Sequence, residues 1–201
     1  VIVAYSSLAG TSVSGVTFSI PGVPPIVLLN ADQPADRVRF TLAHELGHLV
    51  MHKFPSSNME DEANIFASSF LMPAADIRHS FIGRNKIDLA LLGALKQEWR
   101  VSMQSLLMRA KSWGFIDDSR SSYLWRQMSA RGLRLREPAQ FDFVREEPTI
   151  LNRLIAAHTG ALGYSVDDMA LLLREKKHRL QTSYFGEEKP APSKPRLAII
   201  T

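Results

Sequence analysis

The sequence predicts an α+β fold: a small mixed β-sheet packed on two consecutive helices, with a mostly helical carboxy-terminal extension. Three observations predict it. Three strand-like segments cluster within residues 1–30. Two helical segments with clear apolar stripes follow, the first running to about Lys53 and the second covering 59–72. The remaining chain keeps a helical spacing of apolar residues, interrupted by glycine and proline.

Val1–Tyr5 reads as the first strand rather than a signal peptide, since no basic leader precedes an apolar run. Gly15–Ile20 alternates like a second strand. Pro25–Asn30 is a third, so continuously apolar that burial on both faces is expected. Gly10, Gly15, Pro21-Gly22 and Pro24-Pro25 supply the turns. Asp32 is a candidate N-cap, with Pro34 in the first turn of the helix that follows.

That helix contains His44-Glu45-Leu46-Gly47-His48, an H-E-x-x-H motif. Residues four apart share a helical face, so His44 and His48 can present both imidazoles to one point. Such a pair suits zinc, which takes nitrogen ligands at about 2.0–2.1 Å; manganese is the alternative ion. Glu45 projects about 100° around the helix, beside the ion, where a carboxylate can act as general base. Val38, Leu42, Leu46 and Leu49 form the apolar stripe, and Gly47 suggests a close backbone approach at the site. His52 also lies on this face, but about 12 Å from His44 along the axis, and is read as structural.

A catalytic zinc ordinarily has three protein ligands, so a carboxylate from a neighbouring helix is expected. Glu60, Asp61 and Glu62 compete for that position in the segment 59–72, which Pro73 closes. Glu62 leads because it borders the stripe of Ala63, Phe66, Ala67 and Phe70, whereas Glu60 and Asp61 also fit a solvated first turn.

Composition sets bounds on these readings. The 201 residues are 45% hydrophobic and include no cysteine, which excludes disulfides and thiolate metal sites and is compatible with the expected cytoplasmic location. No run of about twenty apolar residues exists, so no membrane-spanning helix is expected. Charge is uneven: residues 1–76 carry a net −4, 77–140 a net +7 and 141–201 a net +1. The basic middle reads first as a solvated face, with nucleic acid or an acidic protein surface as the alternative.

The blocks R-F-T-L-A-H-E-L-G-H-L at 39–49, E-A-N-I-F-A at 62–67 and L-M-P at 71–73, preceded by I-V-L-L-N at 26–30, resemble the ImmA/IrrE family of metallo-endopeptidases over about residues 15–75. The resemblance implies a zincin-like metal helix, with His44, His48 and Glu62 as zinc ligands and Glu45 as catalytic acid/base. It further implies a protein substrate, a helix-turn-helix transcriptional repressor removed during stress or induction. The alternative is a regulatory module that binds a repressor or DNA without hydrolysis, as in toxin–antitoxin systems, around a structural or sensing metal.

Beyond the motif, Lys86–Glu98 and a helix N-capped by Ser102 and ended by Gly114 imitate a helix-turn-helix, a module IrrE-like proteins carry after the peptidase region. A helical hairpin packed on the core is the favoured reading. Arg100, Arg109 and Lys111 are the residues to test for DNA contact. Ser119–Ala130 is a further helix whose Tyr123 and Trp125 belong to a core, and Leu133–Arg136 reads as a short strand or link. Pro148–Thr159 and Ser165–Lys176 form a last helix pair, with His158 and His178 at the surface. The expected organisation is a peptidase core over 1–80, a helical segment over 81–130, a helical region over 131–185 and a flexible tail over 186–201. Tyr5, His79 and Arg39 are candidate oxyanion donors, and nothing in the sequence selects among them.

Overall fold

A computed structural model describes residues 1–8, 10–84 and 86–185; the expected tail at 186–201 lies outside the described residues. Strands β1 (Ile2–Ser6), β2 (Gly15–Phe18) and β3 (Ile26–Asn30) form one sheet in the order β1-β3-β2. β1 runs parallel to β3, with Tyr5 opposite Leu29, and β2 runs antiparallel, with Thr17 opposite Val27. The sheet is therefore mixed and the fold α+β. β3 is not buried on both faces as its composition suggested. Val27 and Leu29 are fully buried against Val38 of the following helix, but Leu28 is half-covered and Ile26 is 37% exposed.

That helix is α1 (Ala35–Met51). It packs on the sheet through Val38, with Leu42 and Leu49 at the margin of a small cluster centred on Val27 and Leu29. Pro34 rather than Asp32 occupies its N-cap position and offers no side-chain bond, while Asp32 accepts the Ser7 hydroxyl at 2.8 Å. Two contacts press α1 tightly between its neighbours. A Cβ on Gly15 of β2 would lie 2.6 Å from Thr41 Cγ2. A Cβ on Gly47 would lie 3.3 Å from the Cα of Ala63 in α2 (Met59–Leu71). Ala63 and Ala67 are fully buried in that approach, so three small residues bring the two helix backbones together.

The main core lies elsewhere, among α3 (Ala74–Phe81), α4 (Leu89–Trp99), α5 (Met103–Ser112) and α6 (Asp118–Ala130). Ile77, Leu92, Leu106, Leu107 and Leu124 are its fully buried centre. Asp88 and Ser102 cap α4 and α5, and Gly114, at φ +73°, ends the chain's run through α5. Leu133–Arg136 forms turns rather than a strand: Gly132 takes φ +69° and the Leu133 N–H donates to Met128 O at 2.8 Å, reversing the chain at the end of α6. The side chains singled out for DNA contact all have partners within the chain. Arg109 donates to Met72 O at 3.2 Å and stacks over Trp113, Lys111 pairs with Asp118 at 2.8 Å, and Arg100 approaches Glu146 at 3.4 Å.

A buried ionic group joins the two layers. Lys96 of α4, 2% exposed, bonds Asp36 in the first turn of α1 and Glu137 at 2.9 Å. Glu137 also accepts the Met103 and Gln104 N–H groups at the start of α5. Burial alone would lower the Lys96 pKa, but hydrogen bonds and charge from the two carboxylates outweigh it and hold the ammonium above its ordinary value.

Contacts divide the chain into two compact units, the first ending at Glu147 and the second beginning at Pro148. Helices α4, α5 and α6 thus belong to the same unit as the sheet and α1. The second unit contains α7 (Ile150–Thr159), α8 (Val166–Leu173) and α9 (Lys177–Leu180). Ser165 and Asp168 form a reciprocal capping box at the start of α8. His178 is exposed, whereas His158 is half-buried, bonding Leu154 O at 2.7 Å and packing on Tyr164. Among the described residues no helix is long and apolar enough to cross a membrane.

Candidate metal centre

Helix α1 presents His44 and His48 one turn apart, with Nε2 atoms 3.0 Å from each other. Neither nitrogen is well placed to donate to the other if each ring carries its proton on Nδ1. The surroundings point to that tautomer for His44, whose Nδ1 donates to Asn64 Oδ1 at 3.0 Å. With His48 in the same tautomer, two lone pairs face one point, an arrangement suited to a cation.

The carboxylate that closes on this point comes from Glu60. Its Oε2 lies 3.3 Å from His44 Nε2 and its Oε1 3.4 Å from His48 Nε2. Ligands at about 2.0–2.1 Å from a tetrahedral ion stand about 3.3 Å from one another. Each Glu60 oxygen stands about one such edge from a different imidazole, and the two Nε2 atoms lie slightly closer together than an edge. The N/N/O donor set suits zinc, and the two imidazoles are shielded (17% exposed) while Glu60 is open to solvent at 70%. His44, His48 and Glu60 form a metal-competent group among the described residues.

Glu62 does not join it. Its Oε2 sits 2.8 Å from His52 Nε2, one turn beyond His48. The physical reason is the face that α2 turns toward α1. Ala63 and Ala67 define that face through their contact with Gly47. At about 100° per residue, Glu60 lies about 40° from their mean direction and Glu62 about 120°. Phe66 and Phe70 skewed the expected stripe toward Glu62, yet they stack on each other at 5.8 Å and Phe70 is 58% exposed. A usable signal was present: Glu60 and Asn64 are four apart, so the acid beside the imidazoles and the partner of the His44 ring share one face.

Glu45 lies on the sheet side of the motif. Its Oε2 accepts the Thr17 hydroxyl of edge strand β2 at 2.6 Å. That bond fixes one carboxylate oxygen and leaves Oε1 to meet a substrate or water. Thr17 was not legible as a site residue, since nothing local in Gly15–Ile20 marks it.

Two of the candidate oxyanion donors, Tyr5 and Arg39, are engaged at Glu146. Tyr5 donates to Glu146 O at 2.6 Å under the Arg145 guanidinium, and Arg39 approaches Glu146 at 3.5 Å. Burial raises the Tyr5 pKa, with Arg145 opposing and Glu147 and Glu146 reinforcing. His79 is carried by α3, in the helical layer. Beside the site a cleft of about 1050 Å³ opens between α1, α2, α5 and residues 133–143. Asn64 lines it, linking cleft to metal centre.

The arrangement can hold a divalent cation on three side chains, with the Glu45 carboxylate carried by the residue that follows His44. This is the apparatus of metal-dependent hydrolysis. A search among curated proteins found no match. Residues 1–111 of the 201 match the profile of the IrrE N-terminal-like domain, peptidase family M78, and the chain therefore belongs to this family of metallopeptidase type.

Proposed function

We propose that this protein is a zinc-dependent endopeptidase that cleaves a helix-turn-helix transcriptional repressor in the cytoplasm. His44, His48 and Glu60 hold the ion in this reading, and Glu45 is the general acid/base. The observation that carries it is the convergence of two imidazole Nε2 atoms 3.0 Å apart on the Glu60 carboxylate, with Glu45 next in sequence to His44. Family membership supports a metallopeptidase; the choice of a repressor as substrate follows from the sequence resemblance.

Bound there, zinc supplies Lewis acidity to a scissile carbonyl and makes water a stronger acid. The chain's own residues do the rest. Thr17 holds Glu45 Oε2, so Oε1 is the atom that takes a proton from the attacking water. The same oxygen returns it to the departing amine nitrogen, so the peptide bond breaks with no net change in the protein. Asn64 keeps the His44 ring turned so that its Nε2 stays available.

The test combines metal analysis of protein purified without added metal with incubation against the repressor encoded nearest its gene. We expect about one zinc per chain and a discrete cleavage product. Glu45→Gln keeps the metal and loses about 10²–10⁴-fold in cleavage rate. Repressor removal that survives Glu45→Gln with metal retained overturns hydrolysis. A protein that holds neither zinc nor manganese overturns the metal reading.

A further inference from the structure

We infer that His52 and Glu62 form a hydrogen-bonded relay that orients His48 from behind, making both of them positioning residues for the metal centre. The inference rests on the metal reading above. His52 follows His48 by one helical turn, and the two Nδ1 atoms lie 3.0 Å apart. The rings are tilted by 52°, with centroids 5.1 Å apart. Beyond them, His52 Nε2 lies 2.8 Å from Glu62 Oε2. The three side chains make an unbroken line leading from the His48 ring into the first turn of α2.

Chemistry at the two ends fixes the direction of every donor. His48 Nε2 faces His44 and Glu60 and needs its lone pair for an ion, so the proton of a neutral His48 sits on Nδ1. That N–H donates to His52 Nδ1, which must then be the bare nitrogen. His52 consequently carries its proton on Nε2 and donates it to Glu62, which as a carboxylate only accepts. The reverse tautomer of His52 would set two N–H groups against each other across 3.0 Å and leave Nε2 facing a carboxylate with no proton between them.

The surroundings suit such a relay. The His52 side chain is 6% exposed, so water does not compete well for its inner bond, while the Glu62 side chain is 53% exposed. The His52 backbone is held as well: it caps α1 by donating its N–H to His48 O. α2 thereby backs both ligand imidazoles, His44 through Asn64 and His48 through Glu62 by way of His52. Partners of this kind set ring orientation and raise ligand basicity, and their loss typically weakens metal binding by about 10–100-fold.

Zinc affinity measured by chelator competition tests the relay in the full chain. His52→Phe and Glu62→Leu should each weaken zinc by about 10–100-fold. Glu62→Asp should recover part of that loss, and Glu60→Gln should weaken binding more than either. Glu62 is exposed, so its replacement tests the relay even if His52→Phe lowers the yield of folded protein. If Glu62→Leu abolishes binding while Glu60→Gln costs only about 10–100-fold, Glu62 is a ligand and the relay is overturned. Unchanged affinity in Glu62→Leu overturns it too. Long-range ¹H–¹⁵N spectra of zinc-loaded wild type provide a readout without any substitution. They should place protons on His48 Nδ1 and His52 Nε2, and a proton on His52 Nδ1 overturns the relay. A wild type that takes up neither zinc nor manganese is a distinct result: it defeats the metal reading and the relay together.

Discussion

Thr17 donates its hydroxyl to Glu45 across the gap between edge strand and motif helix, at 2.6 Å. A hydrogen bond to a charged group contributes about 1.5–3 kcal/mol, which converts to about 10–100-fold if it is needed chiefly to aim the carboxylate. Thr17→Val should therefore lower kcat by about that factor, with KM and zinc affinity unchanged, and Thr17→Ser should restore it. Steady-state cleavage kinetics beside a zinc titration check this. At this scale the sequence was legible where spacing alone decides geometry. His44 and His48 are four apart on one helix, and they converge as that spacing requires. Which acid stands beside the two imidazoles was harder to read, because the choice between Glu60 and Glu62 depends on how α2 is rotated against α1. Ala63 and Ala67 set that rotation, while Phe66 and Phe70 dominate a hydrophobic reading of the same segment.

Among the elements, the α1–α2 contact governs the site, since each helix supplies part of the ligand group. Gly47 permits it, with a would-be Cβ 3.1 Å from Phe66 Cδ1 and 3.3 Å from the Ala63 Cα. The flexible ring can yield, but the backbone atom cannot move without shifting α2. Gly47→Leu should cost about 1–3 kcal/mol of stability and should also weaken zinc binding by moving Glu60 away from the imidazoles. Thermal melts and zinc titration of the variant check the two effects. Elements with local signals were read closely: the three strands, α1, the Ser102 cap and the Gly114 stop. α3 was not anticipated, because only Ile77 and Phe81 of its eight residues are buried and so short an apolar pattern carries little period. Leu133–Arg136 alternates like a strand, but the left-handed Gly132 before it turns the chain.

For the whole molecule, the Lys96 group ties the metal helix to the helical layer. Replacing Lys96 by Met leaves Asp36 and Glu137 buried without their cation, at 7% and 9% exposure, and should cost roughly 3–5 kcal/mol. The linkage has a definite sign. A lysine held above its ordinary value of 10.5 stabilises the fold fully below that pH, and the contribution disappears as pH rises through the folded value. The wild-type advantage over Lys96→Met in denaturant melts should therefore be constant from neutral pH to about 10 and shrink above it. Metal adds stability in a separate way: free zinc at 100 times its Kd should raise unfolding free energy by about 2.7 kcal/mol, an increment that a chelator removes.

The reach of the Glu137 carboxylate bears on where this enzyme can be cut. Stopping the polypeptide at residue 111, where the family match ends, would strip Lys96 of one of its two anions. It would also strand the Met103 and Gln104 amides and remove the Arg145 guanidinium from the Ala31 carbonyl. A fragment ending at Glu147 keeps all of these bonds. It should melt in one cooperative step and retain zinc, whereas a 1–111 fragment should aggregate or stay loosely folded, as circular dichroism and gel filtration of the pair would reveal.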